Sequence, residues 1–257
     1  MGSALVRMVR DAQGMVVSGG TERPGGAMIG LDVGLAARVG TLEVSVMDDL
    51  RALLEMTPSD VVIDFTSPEA SVEHARICAA RKVALVVGST GFSSAAKAQV
   101  AQAGDRIAVV MAPNMSVGVN LVIQVAGHLA RVLGEDYDCE IMEMHHRLKK
   151  DAPSGTALRL AAEVAEATGR SSKDFLTARE GQVGERRDGE IGIQALRGGD
   201  VVGEHTVFFL GDGERVELTH RASKRETFAS GALRAARWVA LQKPGLYDMQ
   251  DVLGLSR

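Results

Sequence analysis

Between positions 145 and 150 the chain places His145, His146, Arg147, Lys149 and Lys150, and Ser154, Gly155 and Thr156 follow shortly after. Imidazoles and amines at this density can exchange protons near neutral pH and draw in carboxylates. Leu158, Ala161, Ala162 and Ala165 recur at helical spacing, so a helix is predicted to begin near Ser154 to Thr156. A helix N-terminus offers outward backbone N–H groups and a partial positive charge, and Gly155 lets an anion approach the backbone closely. The whole stretch from Glu140 to Ala157 therefore predicts a strand, a donor cluster and a helix start arranged around a small molecule that carries carboxylates. Residues in a strand alternate faces, so His145 and His146 can serve one ligand only if the strand ends about there. A basic loop ahead of a capped helix is ordinarily a solvated turn, and composition alone would favour that reading.

The elements that must hold this cluster alternate along the first half of the chain. Ser3 to Ala12 reads as a helix, Met15 to Gly19 as a short strand, Leu42 to Val46 as a weak strand, and Asp48 to Glu55 as a helix capped by Asp48. Asp60 to Thr66 reads as a buried strand, and Ser67-Pro68-Glu69 opens a helix with proline at its first position. Lys82 to Val87 and Arg106 to Met111 are strands separated by a helix over Ser93 to Ala103. This alternation predicts a parallel, doubly wound sheet, whose ligands sit beyond the C-terminal strand ends. The turns at Glu22-Arg23, Asp64 to Ser67, Gly88 to Gly91 and Ala112 to Met115 occupy such ends.

Ser116 to Leu133 reads as a long helix, apolar nearly all round. Arg170 to Arg187 is polar and reads as a loop. Gly189 to Arg197, Val201 to Leu210 and Arg215 to His220 read as three consecutive strands of an antiparallel meander. Glu226 to Gln242 is a final helix, followed by a turn over Tyr247 to Leu253. The change of architecture sets a boundary near Asn114 to Ser116. The predicted layout is α/β: a Rossmann-like parallel-sheet domain over 1–115 and 226–257, and a mixed or antiparallel α+β domain over 116–225.

With a net charge of −4, the chain offers no face-wide basic excess, which argues against nucleic acid as a partner. Cys78 and Cys139 are the only cysteines and lack metal-ligand spacing, so both are expected to be small buried apolar residues, with no disulfide and no metal site. No apolar run reads as a membrane span and no signal peptide is visible, so a cytoplasmic protein is the default expectation.

The string Glu143-x-His145-His146-Arg147-x-Lys149-x-Asp151-Ala152-Pro153-Ser154-Gly155-Thr156-Ala157 closely resembles the substrate-site signature of the dihydrodipicolinate reductase family. Further matching pieces are Val61 to Thr66, Gly88 to Phe92, Asn114 to Asn120, Arg179 to Gly181, Gly203-Glu204-His205 and Thr227 to Ala232, so the likeness runs over essentially the whole chain. The resemblance implies reduction by NADH or NADPH of a cyclic imine dicarboxylate, formed by loss of water from 4-hydroxy-tetrahydrodipicolinate, to tetrahydrodipicolinate in lysine and diaminopimelate biosynthesis. It implies that His145 donates or accepts a proton, that Lys149 is a second proton donor, and that His146, Ser154, Gly155 and Thr156 bind the substrate carboxylates. On the cofactor side it implies that Glu22 holds the adenosine ribose hydroxyl; the charge of Arg23 beside it could pair with a 2′-phosphate, so both NADH and NADPH are expected to be usable. Gly88, Ser89 and Thr90, with Ala112, Pro113, Asn114 and Met115, would line the nicotinamide and its ribose. It also implies a homotetramer built by the mixed-sheet domain.

The departure from the family is at the start. The family opens with a strand and a Gly-x-x-Gly-x-Met-Gly loop for the pyrophosphate, and only Met1-Gly2 matches that loop here. Roughly fifteen residues, one strand and its turn, are missing from the usual unit. About four buried side chains at about 1.5–3 kcal/mol each would rival the roughly 5–15 kcal/mol that holds a domain together. Met1 is therefore expected to be an internal methionine of a longer protein, and the chain as written to bind cofactor poorly. The competing reading is a non-catalytic dicarboxylate-binding protein; two proton-transfer groups, His145 and Lys149, are more than binding alone requires.

Overall fold

The computed structural model describes residues 1–255. Its elements begin with α1 (Gly2–Asp11), β1 (Gly20–Thr21), α2 (Val33–Ala36), β2 (Val46–Met47), α3 (Leu50–Met56), β3 (Val61–Asp64) and α4 (Pro68–Arg81). They continue through β4 (Ala84–Val87), α5 (Ser94–Gln102), β5 (Ala108–Met111), α6 (Val117–Leu133), β6 (Asp138–His145) and α7 (Gly155–Ala167). The chain ends with β7 (Phe175–Leu176), β8 (Ile191–Arg197), β9 (Gly203–Gly211), β10 (Glu214–Ala222), α8 (Glu226–Val239), β11 (Gly245–Tyr247) and α9 (Met249–Leu253). Two units result, one of Met1–Ser116 with the segment from Glu226, the other of Val117–Arg225.

In the first unit β11, β5, β4 and β3 form a parallel sheet in that order. The strands are continuous apolar runs because both faces are covered. Val86, Ala108 and Val110 pack with Leu5, Val9, Leu233 and Met249, while Leu85, Val87 and Val109 point the other way, onto Leu53, Val72, Cys78 and Val100. Leu85, Val86 and Val87 are all 0% exposed, and such side chains each contribute about 1.5–3 kcal/mol. Helix α4 starts as its sequence predicts, with Ser67 Oγ accepting the Ala70 N–H and Pro68 in the first helical position. Helix α3 is capped by Asp49 rather than Asp48, since the Asp49 carboxylate accepts from Arg51 and Ala52.

Met15 to Gly19 forms no strand, contrary to its apolar pattern, and Val16 is left 87% exposed. Pairing begins only at Gly20–Thr21, where β1 runs parallel to β2 as a separate two-stranded sheet. Strand β3 is likewise a sheet edge, so Val61, Val62 and Ile63 are half-buried instead of buried. An apolar stretch becomes a strand only where a neighbour accepts its ladder. A groove of about 1250 Å³ lies between these two stretches, lined by Gly2, Met15 to Arg23 and Ser59 to Ser67.

The second unit is a five-stranded sheet in the order β10, β9, β6, β8, β7. The expected three-strand meander is not formed. Only β9 and β10 make an antiparallel hairpin, and β8 and β9 flank β6 from opposite sides, β8 parallel and β9 antiparallel to it. Helix α7 supplies the crossover that two parallel strands require. Short strand β7 falls where the sequence reads as loop and β11 runs into the expected turn, since two or three residues show no period, and most of that turn is helix α9. Helices α6 and α7 cover one sheet face, where Val119, Ile123, Leu160 and Val164 meet Cys139, Ile141, Ile193 and Phe209. Contrary to the sequence expectation, Val117–Asp136 is long and apolar enough to cross a membrane by length and composition. Its residues Val119, Ile123, Ala126 and Ala130 are instead buried in this core.

Candidate active site

Strand β6 ends at His145, which resolves the constraint on the paired histidines: His146 is already in the following turn. Along β6 one face carries Cys139, Ile141, Glu143 and His145, the first two in the apolar core and the last two at its margin. Register then fixes their neighbours. His145 lies beside Arg197 of β8, and Glu143 lies beside His205 of β9. Four polar side chains thus share one face at one end of the sheet, beside the N-terminus of α7.

Glu143 is 0% exposed and is the hub. Its Oε2 accepts from His145 Nδ1 at 2.6 Å and from Arg197 Nη1 at 2.8 Å. Its Oε1 accepts from Arg197 Nη2 at 2.8 Å and from the Ser154 backbone N–H at 3.0 Å. Burial pushes the Glu143 pKa up, but Arg197, His145 and the Ser154 N–H outweigh it and leave the carboxyl below its usual range. The imidazole of His145 is shifted down, first by burial, with the Glu143 carboxylate opposing and Lys149 and Arg197 adding to the shift. A Cβ on Gly203 would sit 3.0 Å from His145 Nε2, so glycine at the start of β9 leaves that nitrogen room.

Ser154, expected to bind substrate, is turned inward. It is buried, its Oγ caps α7 by accepting the Ala157 N–H, and the same oxygen lies 3.0 Å from His205 Nε2. Gly155 and Thr156 are the first residues of α7, with N–H groups at the positive end of the helix, and a Cβ on Gly155 would meet nothing within 4 Å. Lys149 Nζ donates to Asp151 at 2.9 Å. His146 Nε2 lies 3.3 Å from Arg225 Nη2. The sequence alone assigns no role to Glu143, Arg197 or His205. Period-two alternation back from His145 marks Glu143, while Arg197 and His205 are visible only once register is known.

In the first unit, Glu22 and Arg23 follow β1 and line the groove that also contains Gly2 at the start of α1. Glu22 is anchored through its own N–H to Met47 O, and its carboxylate accepts the Arg23 N–H. An acidic side chain, a guanidinium and a helix N-terminus along one groove fit the ribose, 2′-phosphate and pyrophosphate of a dinucleotide. Asp64, buried at the end of β3, accepts from Thr66 N and Oγ1 and lies 2.9 Å from His74 Nδ1. Ser71 donates to Ser89, whose hydroxyl is 3.5 Å from Asp64, so the Ser89 side chain belongs to this internal network. Phe65 packs its ring over Gly88, where a Cβ would strike it. Thr90 and Pro113 are exposed. Ala112 and Met115 point into the core, and Asn114 Oδ1 accepts the Ser116 N–H, so these can serve a ligand mainly through position and backbone.

A parallel α/β unit with Glu22 and Arg23 at a strand end, joined in one chain to a mixed-sheet unit carrying an imidazole beside a helix N-terminus, has the layout of a dinucleotide-dependent oxidoreductase. Models of dihydrodipicolinate reductase match at residues 1–115 for the N-terminus and 118–253 for the C-terminus. The 4-hydroxy-tetrahydrodipicolinate reductase of Myxococcus xanthus is 61% identical over 257 residues, covering 100% of this chain and 95% of that protein. That of Geotalea uraniireducens is 51% identical over 256 residues, with 99% and 95% covered. A dipicolinate-bound dihydrodipicolinate reductase from Paenisporosarcina sp. TG-14 superposes with a TM-score of 0.76 at 26% identity, covering 97% of this chain and 94% of that one. The chain belongs to the dihydrodipicolinate reductase family.

Proposed function

We propose that His145 is the proton donor or acceptor and Lys149 the second proton donor in the reaction of this family. In that reaction NADH or NADPH reduces 4-hydroxy-tetrahydrodipicolinate, through its dehydrated imine, to tetrahydrodipicolinate for lysine and diaminopimelate biosynthesis. The observation that carries the reading is the meeting of His145 and the N-terminus of α7 on a single carboxylate, that of Glu143. The nicotinamide supplies a hydride when bound. The chain's own groups do the rest. His146, Gly155 and Thr156 receive the substrate carboxylates, the α7 N-terminus offsets their charge, and His145 Nε2 is the ring atom left to exchange a proton. Glu22 would hold the adenosine ribose hydroxyls and Arg23 a 2′-phosphate.

The face of the second sheet opposite α6 and α7 carries Met142, Met144, Leu196, Phe208 and Leu210 among charged residues such as Glu140, Glu204 and Glu217, with Leu196 40% and Leu210 37% exposed. Exposed apolar side chains on this mixed face support the homotetramer, and native mass spectrometry reads it directly. Two buried free thiols, Cys78 and Cys139, agree with a cytoplasmic enzyme. Nothing favours the non-catalytic reading.

The test uses dipicolinate, a planar ring dicarboxylate, as probe. Amide shifts of Gly155 and Thr156 and imidazole shifts of His145 and His146 are expected to move on addition, and His146→Gln to weaken binding. Shifts confined to other parts of the chain would overturn the assignment.

A further inference from the structure

Glu143 receives four hydrogen bonds: two from Arg197, one from His145 and one from the backbone of Ser154. An ionised carboxylate has about four lone-pair sites, so every acceptor position is filled and none of the four partners can be exchanged for water without loss. Arg197 supplies the balancing charge, and its Nη2 also donates to the carbonyl of Asp151, which ties the loop ahead of α7 to the same point. We propose that Glu143 is a positioning residue: one buried carboxylate, neutralised by Arg197, orders both the imidazole of His145 and the start of α7. It thereby holds His145 as the tautomer with its proton on Nδ1 and a bare Nε2.

The proposal rests on the reading of His145 as the proton-transfer group, and it deepens that reading by saying what keeps the group aimed. A saturated, ionised carboxylate has no proton to donate, so the 2.6 Å contact requires the hydrogen to sit on Nδ1. Nε2 is then turned toward Gly203, where the backbone carries no side chain. The charged and titratable groups around His145 are Glu143 on its own strand, Arg197 on β8, His205 on β9 with ring centres 5.2 Å apart, and Lys149 in the following turn. Of these Glu143 is the one anion, so its removal leaves the imidazole facing cations and a second imidazole. The same carboxylate reaches Ser154, so loosening it moves the imidazole and the helix N-terminus together.

Nitrogen NMR of ¹⁵N-histidine-labelled full chain, with His145→Gln used to assign the His145 signals, tests the tautomer directly. Wild type is expected to show Nδ1 protonated and Nε2 bare above the His145 pKa; a proton on Nε2 overturns the proposal even if neither Glu143 variant folds. In Glu143→Gln the tautomers should mix and the His145 pKa fall. Turnover should drop about 10–100-fold, with KM changing far less. Glu143→Asp, which keeps the charge but shortens the arm, should recover part of the tautomer preference. A folded Glu143→Gln with unchanged tautomer and unchanged pH profile also overturns the proposal. If His145→Gln itself keeps full turnover, the catalytic reading of His145 fails, while the tautomer measurement still decides whether Glu143 orders the ring.

Discussion

His205 Nε2 lies 3.0 Å from the hydroxyl of Ser154, the residue that caps α7, so a buried imidazole braces the N-terminal end of that helix. Burial, with His145 alongside, pushes the His205 pKa down to about 3.

That shift fixes a sign for stability against pH. The unfolded chain's histidine takes up a proton near pH ~6.5 that the folded site refuses, so the contribution is complete above that value. It is lost as pH falls through the window toward the folded value of about 3. Urea unfolding of wild type is expected to weaken across this window, with His205 adding at most about 1.4 kcal/mol per pH unit. His205→Asn should show a shallower slope, and an identical slope would mean His205 is not held neutral.

Gly203→Ala probes the space beside His145. Its Cβ would sit 3.0 Å from Nε2, closer than side chains normally tolerate, so the ring must give. Turnover is expected to fall about tenfold through misplacement of the reacting group, with an unfolding midpoint close to wild type. An alanine enzyme at full rate would show that the ring has slack.

Gly231→Ala probes the packing of α8 in the first unit. Alanine gains up to about 1 kcal/mol in helix propensity, but its Cβ would land on the backbone carbonyl of Met115, which has no rotamer by which to move aside. Overpacking should win, for a net loss of about 2 kcal/mol in urea unfolding. A stabilised variant would contradict the close approach.

Arg23→Ala separates the two nicotinamide cofactors. With Arg23 at a 2′-phosphate, as proposed, loss of its guanidinium should weaken NADPH about 10–100-fold and NADH little, whereas Glu22→Gln should weaken NADH more. Equal losses for both in each variant would remove this pair from cofactor recognition. Fluorescence quenching of the reduced cofactor reads both.

How much of this the sequence discloses depends on range. The start of α7 at Gly155 is legible because capping, helical spacing and the donor cluster are local, whereas the sequence leaves open that β6 ends at His145. The Ser67 cap and Pro68 start of α4 are local in the same way. Pairing is not. Met15 to Gly19 has a strand's composition yet forms no strand, because composition does not say whether a neighbour is present. Nor does the order of strands reveal that β6 lies between β8 and β9, the fact that brings Arg197 and His205 beside Glu143 and His145. Ser154 shows the same limit from the other side: its type suits a ligand, but its hydroxyl is committed to Ala157 and His205.

The most direct measurement is steady-state turnover of His145→Gln with 4-hydroxy-tetrahydrodipicolinate and NADH or NADPH, followed by loss of the reduced cofactor. A fall of at least about 100-fold in kcat, with dipicolinate affinity and cofactor affinity near wild type, is the predicted result. Turnover equal to wild type would contradict the assignment of proton transfer to this strand end.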